Sequence, residues 1–124
     1  MERADGANWL QRYVAAWRSY DPDEIAALFA PNARYRYHPY DTEWVEGPEE
    51  IIAAWLDDRD EPGSWDAAYE PAAIDGEVVF ATGSTTYSEP DGSISKIYDN
   101  VFQMRFDDEG RCTEFTEWFM ERPS

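Results

Sequence analysis

Residues 75–110 read DGEVVFATGSTTYSEPDGSISKIYDNVFQMRFDDEG, and three turn signals punctuate them: Asp75-Gly76, Pro90-Asp91-Gly92 and Asp107-Asp108-Glu109-Gly110. The two runs between these turns are rich in β-branched and aromatic residues, the composition of extended chain that is half buried. Short turns between such runs imply antiparallel neighbours joined as hairpins. Working outward, the same texture begins near Ser64 and continues almost to the C-terminus. It predicts four long strands, about Trp65 to Ala73, Glu77 to Ser88, Ser93 to Phe106 and Arg111 to Glu121. Gly83 is expected to mark a bulge within the second of them.

The N-terminal half has a different period. Trp9, Leu10, Tyr13, Val14 and Trp17 recur on one helical face and predict a first helix over Ala7 to Ser19. Asp21-Pro22-Asp23-Glu24 offers a capping carboxylate, a proline at the first helical position and a glutamate three residues after the cap. A short second helix carrying Ile25, Leu28 and Phe29 is expected there. Pro31-Asn32 should break it, and the alternation from Ala33 to Tyr40 predicts a strand closed by Pro39. Gly47-Pro48-Glu49-Glu50 opens a third helix with Ile51, Ile52, Trp55 and Leu56, ending between Asp57 and Gly63. The fold class is α+β: three N-terminal helices packed on a curved, mainly antiparallel sheet, cone-shaped, with a hollow between the helices and the concave face.

The 124 residues suit one domain, spanning 1–124, and 43% hydrophobic with 16% aromatic content supplies a core. A net charge of −17 sets the chain against nucleic-acid backbone and anionic lipid, so neither is an expected partner. Cys112 is the single cysteine and no Cys/His cluster accompanies it, which argues against disulfides and zinc. The acidic run Asp57 to Gly63 lacks the oxygen ligands of a calcium loop where Pro62 and Tyr69 fall. No phosphate loop or nucleophile-elbow text occurs, so chemistry without metal or cofactor is expected. The N-terminus carries no long apolar run, and a cytoplasmic location is the expectation.

The element order, with Gln11-Arg12-Tyr13-Val14-Ala15-Ala16 and then Asp21 to Phe29, resembles the SnoaL-like and ketosteroid-isomerase-like branches of the nuclear transport factor 2-like superfamily. Ala30-Pro31-Asn32-Ala33, the spacing from His38-Pro39 to Gly47, and Arg105-Phe106, Gly110 and Phe119 extend the likeness over nearly the whole chain. The resemblance implies that Tyr13 stands where ketosteroid isomerases keep an oxyanion-hole tyrosine, with His38 in place of their catalytic aspartate. It also puts Phe102 where their protonated second donor stands, with Asp99 and Asn100 as the alternatives if the alignment shifts, so on the Phe102 match the full isomerase set is not reproduced. Such a superfamily hosts enzymes and binders alike, and the fold does not choose between them.

The candidate catalytic residues are therefore His38, Tyr13 and Glu117. His38 is the only histidine, and its imidazole could serve as a general base; the alternative is that it merely closes the strand end beside Pro39. Tyr13 offers a phenol donor, or a core ring with a satisfied hydroxyl. On the last strand Phe115, Glu117 and Phe119 share one face, an apolar setting that would raise a carboxyl pKa, whereas Glu114 shares the other with Thr116 and Trp118. Asn100 projects with Phe102 and Met104, and Asp99 the opposite way. Trp17, Phe29, Tyr37, Trp55, Phe80, Asn100, Phe102, Phe115 and Phe119 are the expected ligand-binding residues. Arg34 and Arg36 share the face of His38, as an anion clamp or as partners for acids at the surface. Two functions stay open: a cofactor-free isomerase, cyclase or lyase acting by acid/base catalysis on a small apolar, cyclic or carbonyl substrate, and a non-catalytic ligand-binding or dimerisation module. Trp118 and Met120, on the outward sheet face, make a homodimer the expected assembly.

Overall fold

A computed structural model of the protein describes residues 1–123. Helix α1 (Arg3–Ser19) starts earlier than its apolar stripe, because the Glu2 N–H donates to the Asp5 carboxylate at 3.0 Å and fixes the first turn. It ends at Tyr20, the one described non-glycine residue with positive φ (51°). Helix α2 (Pro22–Ala26) is capped as expected, with the Asp21 carboxylate accepting the Asp23 N–H at 2.9 Å. Only Ile25 of its expected apolar trio lies inside it; Phe29 opens the next strand.

Strand β1 (Phe29–Arg36) corrects the expected span of Ala33 to Tyr40 at both ends. Pro31-Asn32 does not break the chain but is absorbed as an irregularity, the register against the last strand shifting between Phe29 and Arg34. At the other end the strand stops at Arg36, and the His38 carbonyl accepts the Asp41 N–H at 3.2 Å in a turn through Pro39 and Tyr40. A two-residue strand β2 (Val45–Glu46), too short to show a period, pairs with β1. Helix α3 (Gly47–Asp57) follows with its proline in the first turn.

The four C-terminal strands form as expected, within a residue or two: β3 (Trp65–Asp75), β4 (Val78–Ser88), β5 (Ile94–Phe106) and β6 (Cys112–Glu121). The sheet order is β2-β1-β6-β5-β4-β3, antiparallel throughout except for the parallel pairing of β1 with β6. The helices bury Trp9, Leu10, Tyr13, Ala16, Ile25 and Ile51 against inward residues of the sheet such as Val79, Phe102, Met104 and Phe115. The Leu28 carbonyl ties the layers together, accepting the Trp9 indole N–H at 3.0 Å and the Cys112 N–H at 2.9 Å. Among the described residues no helix is long and apolar enough to cross a membrane.

Gly83 marks no bulge: its pairings with Tyr69 and Asn100 lie in unbroken register, and the shifts fall at Pro71/Ala73, Tyr87/Ser88 and Arg105/Phe106 instead. Its role is close approach, since a Cβ there would stand 2.1 Å from the Ala68 carbonyl oxygen and 2.6 Å from the Tyr69 ring. Gly83→Ala is expected to lower stability by about 1–3 kcal/mol, as forced overpacking does, measured by urea unfolding. An unchanged midpoint would show that β3 can yield there at no cost.

Candidate functional site

The inner cavity lies between the helices and the concave sheet face and has a volume of about 290 Å³. Helix α1 contributes Tyr13 and Trp17 at one-turn spacing, and Tyr20 follows at its end. Tyr35 and then Tyr37 enter from β1 and the residue after it, Trp55 from α3, and Tyr69, Thr85, Tyr87, Tyr98, Asn100, Glu117 and Phe119 from β3 to β6. Seven of the eight tyrosines of the chain line this one space.

The deep wall carries a directional chain of hydrogen bonds. Asn100 has only N–H donors to offer a carboxylate, and its side-chain N–H donates to Glu117 Oε2 at 2.8 Å. Its carbonyl oxygen must then accept, and it takes the Thr85 hydroxyl proton at 3.0 Å. Thr85 Oγ1 in turn accepts from the Tyr69 phenol at 2.6 Å. Every donor in the chain points toward Glu117. Burial raises the Glu117 carboxyl to about 7, and the Asn100 bond pulls it only partly back. Oε1 takes no hydrogen bond from a described residue, which leaves it to exchange a proton with a ligand.

Tyr13 and Tyr35 form a second polar pair, hydroxyl to hydroxyl at 3.1 Å. Burial first, and then the Glu117 charge for Tyr13 and the Tyr13 phenol for Tyr35, hold both pKa values well above the usual phenol value, so both stay protonated. One proton of the pair is used between them; the other is free to reach a ligand oxygen.

The expected catalytic trio does not meet in one space. Tyr13 and Glu117 line the inner cavity, but His38 does not. Tyr35 of β1 and Tyr37 just past its end enter the cavity, whereas His38, in the bend that follows, stacks on Tyr40 (4.9 Å between centroids), contacts Phe119 and meets the Asp41 carboxylate at 3.2 Å. It borders a second, outer hollow with Phe80, Trp118 and Met120; Asn100, Glu117 and Phe119 border both hollows, Tyr13 only the inner one. Phe80 is likewise corrected from cavity to outer face, since its neighbours Val79 and Ala81 are the inward residues of β4. Phe29, Phe102 and Phe115 lie beneath the cavity as core, while Trp17, Tyr37, Trp55, Asn100 and Phe119 line it. Glu114 pairs with Arg34 at 2.9 Å, and Arg36 donates to Thr116 and to the Asp41 carbonyl, so neither arginine clamps a ligand in the cavity. Asp99 faces out to Arg122, as its alternation with Asn100 requires. Tyr20, Tyr35, Tyr69, Thr85, Tyr87, Tyr98 and the acids Asp58 and Asp60 line the cavity in addition to the expected residues. The signal for Thr85, Tyr87 and Tyr98 was present in the inward alternation of β4 and β5, whereas Tyr20 and Asp60 sit in irregular chain. Among the described residues no three His, Cys, Asp or Glu side chains converge as metal ligands.

The sequence profile of the SnoaL-like domain matches residues 10–115. No curated protein gives a sequence match. Among solved structures, the chain is similar to a nuclear transport factor 2-like protein of unknown function from Burkholderia xenovorans (15% identity, 98% of this chain and 87% of that one, TM-score 0.71). It is also similar to a protein from Kribbella flavida provisionally assigned as a ketosteroid isomerase (19%, 98% and 82%, TM-score 0.68). A third is an epoxide hydrolase of M. tuberculosis, described as LEH-like (14%, 97% and 86%, TM-score 0.65). At these identities the likeness is one of fold.

The Glu117 carboxyl has a pKa of about 7 in the folded protein against 4.5 for the free group, so its contribution to stability is fully present below 4.5 and is lost as pH rises through about 7. Glu117→Gln removes that titration. Wild type is expected to lose on the order of 2 kcal/mol relative to the variant between pH 5 and pH 8, read by urea unfolding at both values. Parallel behaviour of the two proteins would mean that Glu117 ionises freely.

Proposed function

For a chain that belongs to the SnoaL-like domain family, we propose a cofactor-free acid/base enzyme acting in the inner cavity on a small cyclic carbonyl compound. The observation that carries this reading is a carboxyl poised near neutrality in an aromatic cavity that also holds a protonated phenol pair. Glu117, as carboxylate, removes the proton next to the carbonyl. The C–H electron pair becomes a double bond to the carbonyl carbon, and the C=O π pair moves onto the oxygen, which gains negative charge. The free proton of the Tyr13–Tyr35 pair hydrogen-bonds that oxygen, and burial of the pair strengthens the bond. Glu117, now protonated, either trades its proton with solvent and protonates the same carbon, which completes an exchange, or, where the substrate carries a β,γ double bond, delivers the proton to the γ carbon, which completes an isomerisation.

Deuterium uptake by 2-tetralone in D2O tests this step without the physiological substrate. Wild type is expected to accelerate exchange at the carbons beside the carbonyl, with a rate that rises with pH and levels off above about 7. Glu117→Gln should fall to the buffer rate, and Tyr13→Phe should be slower by about 100-fold or more. No acceleration by wild type, or full activity of Glu117→Gln, would sink the proposal. One observation favours a non-catalytic binding module instead: His38, at the position matching the isomerase acid, lies outside the inner cavity. Tetralone bound without exchange would be the signature of that role.

We also propose that a second copy covers the outer sheet face, where Phe80, Val101, Trp118 and Met120 are 36–74% exposed. Sedimentation should give a dimer for wild type and a monomer for Trp118→Glu/Met120→Glu. A monomeric wild type at high micromolar concentration would rule the pairing out.

A further inference from the structure

Among the described residues, no lysine, arginine or histidine lines the inner cavity, in a chain that has ten Lys and Arg residues. Its charged groups are Asp58, Asp60 and Glu117, and its walls are the phenol and indole rings of seven tyrosines and two tryptophans with Phe119. An anion entering would lose its water with no countercharge to meet it. A cation would meet ring faces and carboxylate oxygens, the chemistry that recognises ammonium groups.

The rim is built rather than incidental. The Trp17 indole N–H is shared between Asp60 Oδ2 (3.1 Å) and the Tyr20 hydroxyl (3.0 Å), and the Asp60 backbone N–H donates to the same hydroxyl at 2.9 Å. These bonds hold Tyr20 in its left-handed conformation, an unfavourable one for a bulky residue. Asp60 Oδ1 takes no hydrogen bond from a described residue. Beside this corner the chain already holds one ammonium of its own: Lys96 Nζ lies 5.5 Å from the ring centroids of both Tyr87 and Tyr98, two cavity residues. Tyr98 first, then Glu121 and Asp60, raise the Lys96 pKa, so its charge is held there. The Arg59 guanidinium lies 5.4 Å from the Tyr20 centroid but is not among the cavity walls.

We propose that the inner cavity takes a ligand with an ammonium group on a compact apolar frame, the frame among the deep rings and the ammonium at the rim against Trp17, Tyr87 and Asp60. A volume of about 290 Å³ lies at the small end of ligand sites, which run from about 300 to 1,000 Å³, and suits two or three fused rings. The ligand's cation replaces Lys96 over the rim rings. The proposal rests on the inner cavity being the ligand site and not on the proton-transfer step.

Calorimetry on the full chain with three naphthalene probes tests it: (2-naphthylmethyl)trimethylammonium, whose charge does not titrate, 2-naphthalenemethanol and 2-naphthoate. The ammonium is expected to bind about ten-fold more tightly than the alcohol, and the carboxylate not measurably. Asp60→Asn should bring the ammonium to within about two-fold of the alcohol and leave the alcohol unchanged. Lys96→Met should tighten the ammonium alone. Equal affinity for ammonium and alcohol overturns the proposal while leaving the cavity as a ligand site. An ammonium preference that survives in Asp60→Asn also overturns it, because the net charge of the protein would then be the cause. Failure of both probes to bind overturns the cavity reading itself.

Discussion

Phe115 packs against two tyrosines, and the architecture of the site depends on that aromatic cluster. Its ring stacks on Tyr35 at 4.5 Å with the planes 2° apart, and on Tyr13 at 5.5 Å and 15°. The three residues come from β6, β1 and α1, so one cluster joins the parallel strand pair to the first helix. Trp9 continues it by stacking on Tyr13. Burial of such large rings is the main attraction holding helix to sheet, and the two tyrosine hydroxyls of the cluster meet at 3.1 Å. The floor of the cavity and its phenol pair are one structure.

Above that floor the polar groups are linked into a chain. Tyr69, Thr85, Asn100 and Glu117 pass hydrogen bonds in one direction across β3, β4, β5 and β6, which fixes the orientation of the Asn100 amide without reference to any ligand. No buried side-chain nitrogen or oxygen among the described residues lacks a partner. A carboxyl in this setting resists ionisation because the surrounding rings replace water, and a single amide N–H does not compensate for the loss. The same desolvation keeps the phenols protonated. Proton donors and a carboxyl near neutrality therefore share one cause, the exclusion of water by aromatic walls.

Charge is divided by the fold. The arginines of β1 are drawn to the outside, Arg34 to Glu114 and both to the Trp44 ring, while Asp58, Asp60 and Glu117 are left in the cavity. The excess of acids that makes the chain so negative thus extends into the site. It gives the aromatic walls a sign preference that their rings share.

The sequence by itself determined the order of the helices and long strands, the consecutive hairpins and which residues of β6 share a face. Turn residues act over a few positions, and the two-residue period is local, so Glu117 is placed with Phe115 and Phe119 without knowledge of anything else. The same period would have placed His38 opposite Tyr35 and Tyr37, but which of the two faces of β1 looks into the cavity depends on the strand it pairs with. Only the tertiary structure decided that, and it decided which tyrosines converge. Tyr13 and Tyr35 lie 22 residues apart, and Asn100 and Glu117 lie 17 apart. The raised pKa of Glu117 is less local still, because desolvation is the sum of walls drawn from every layer of the fold and belongs to no single segment of the chain.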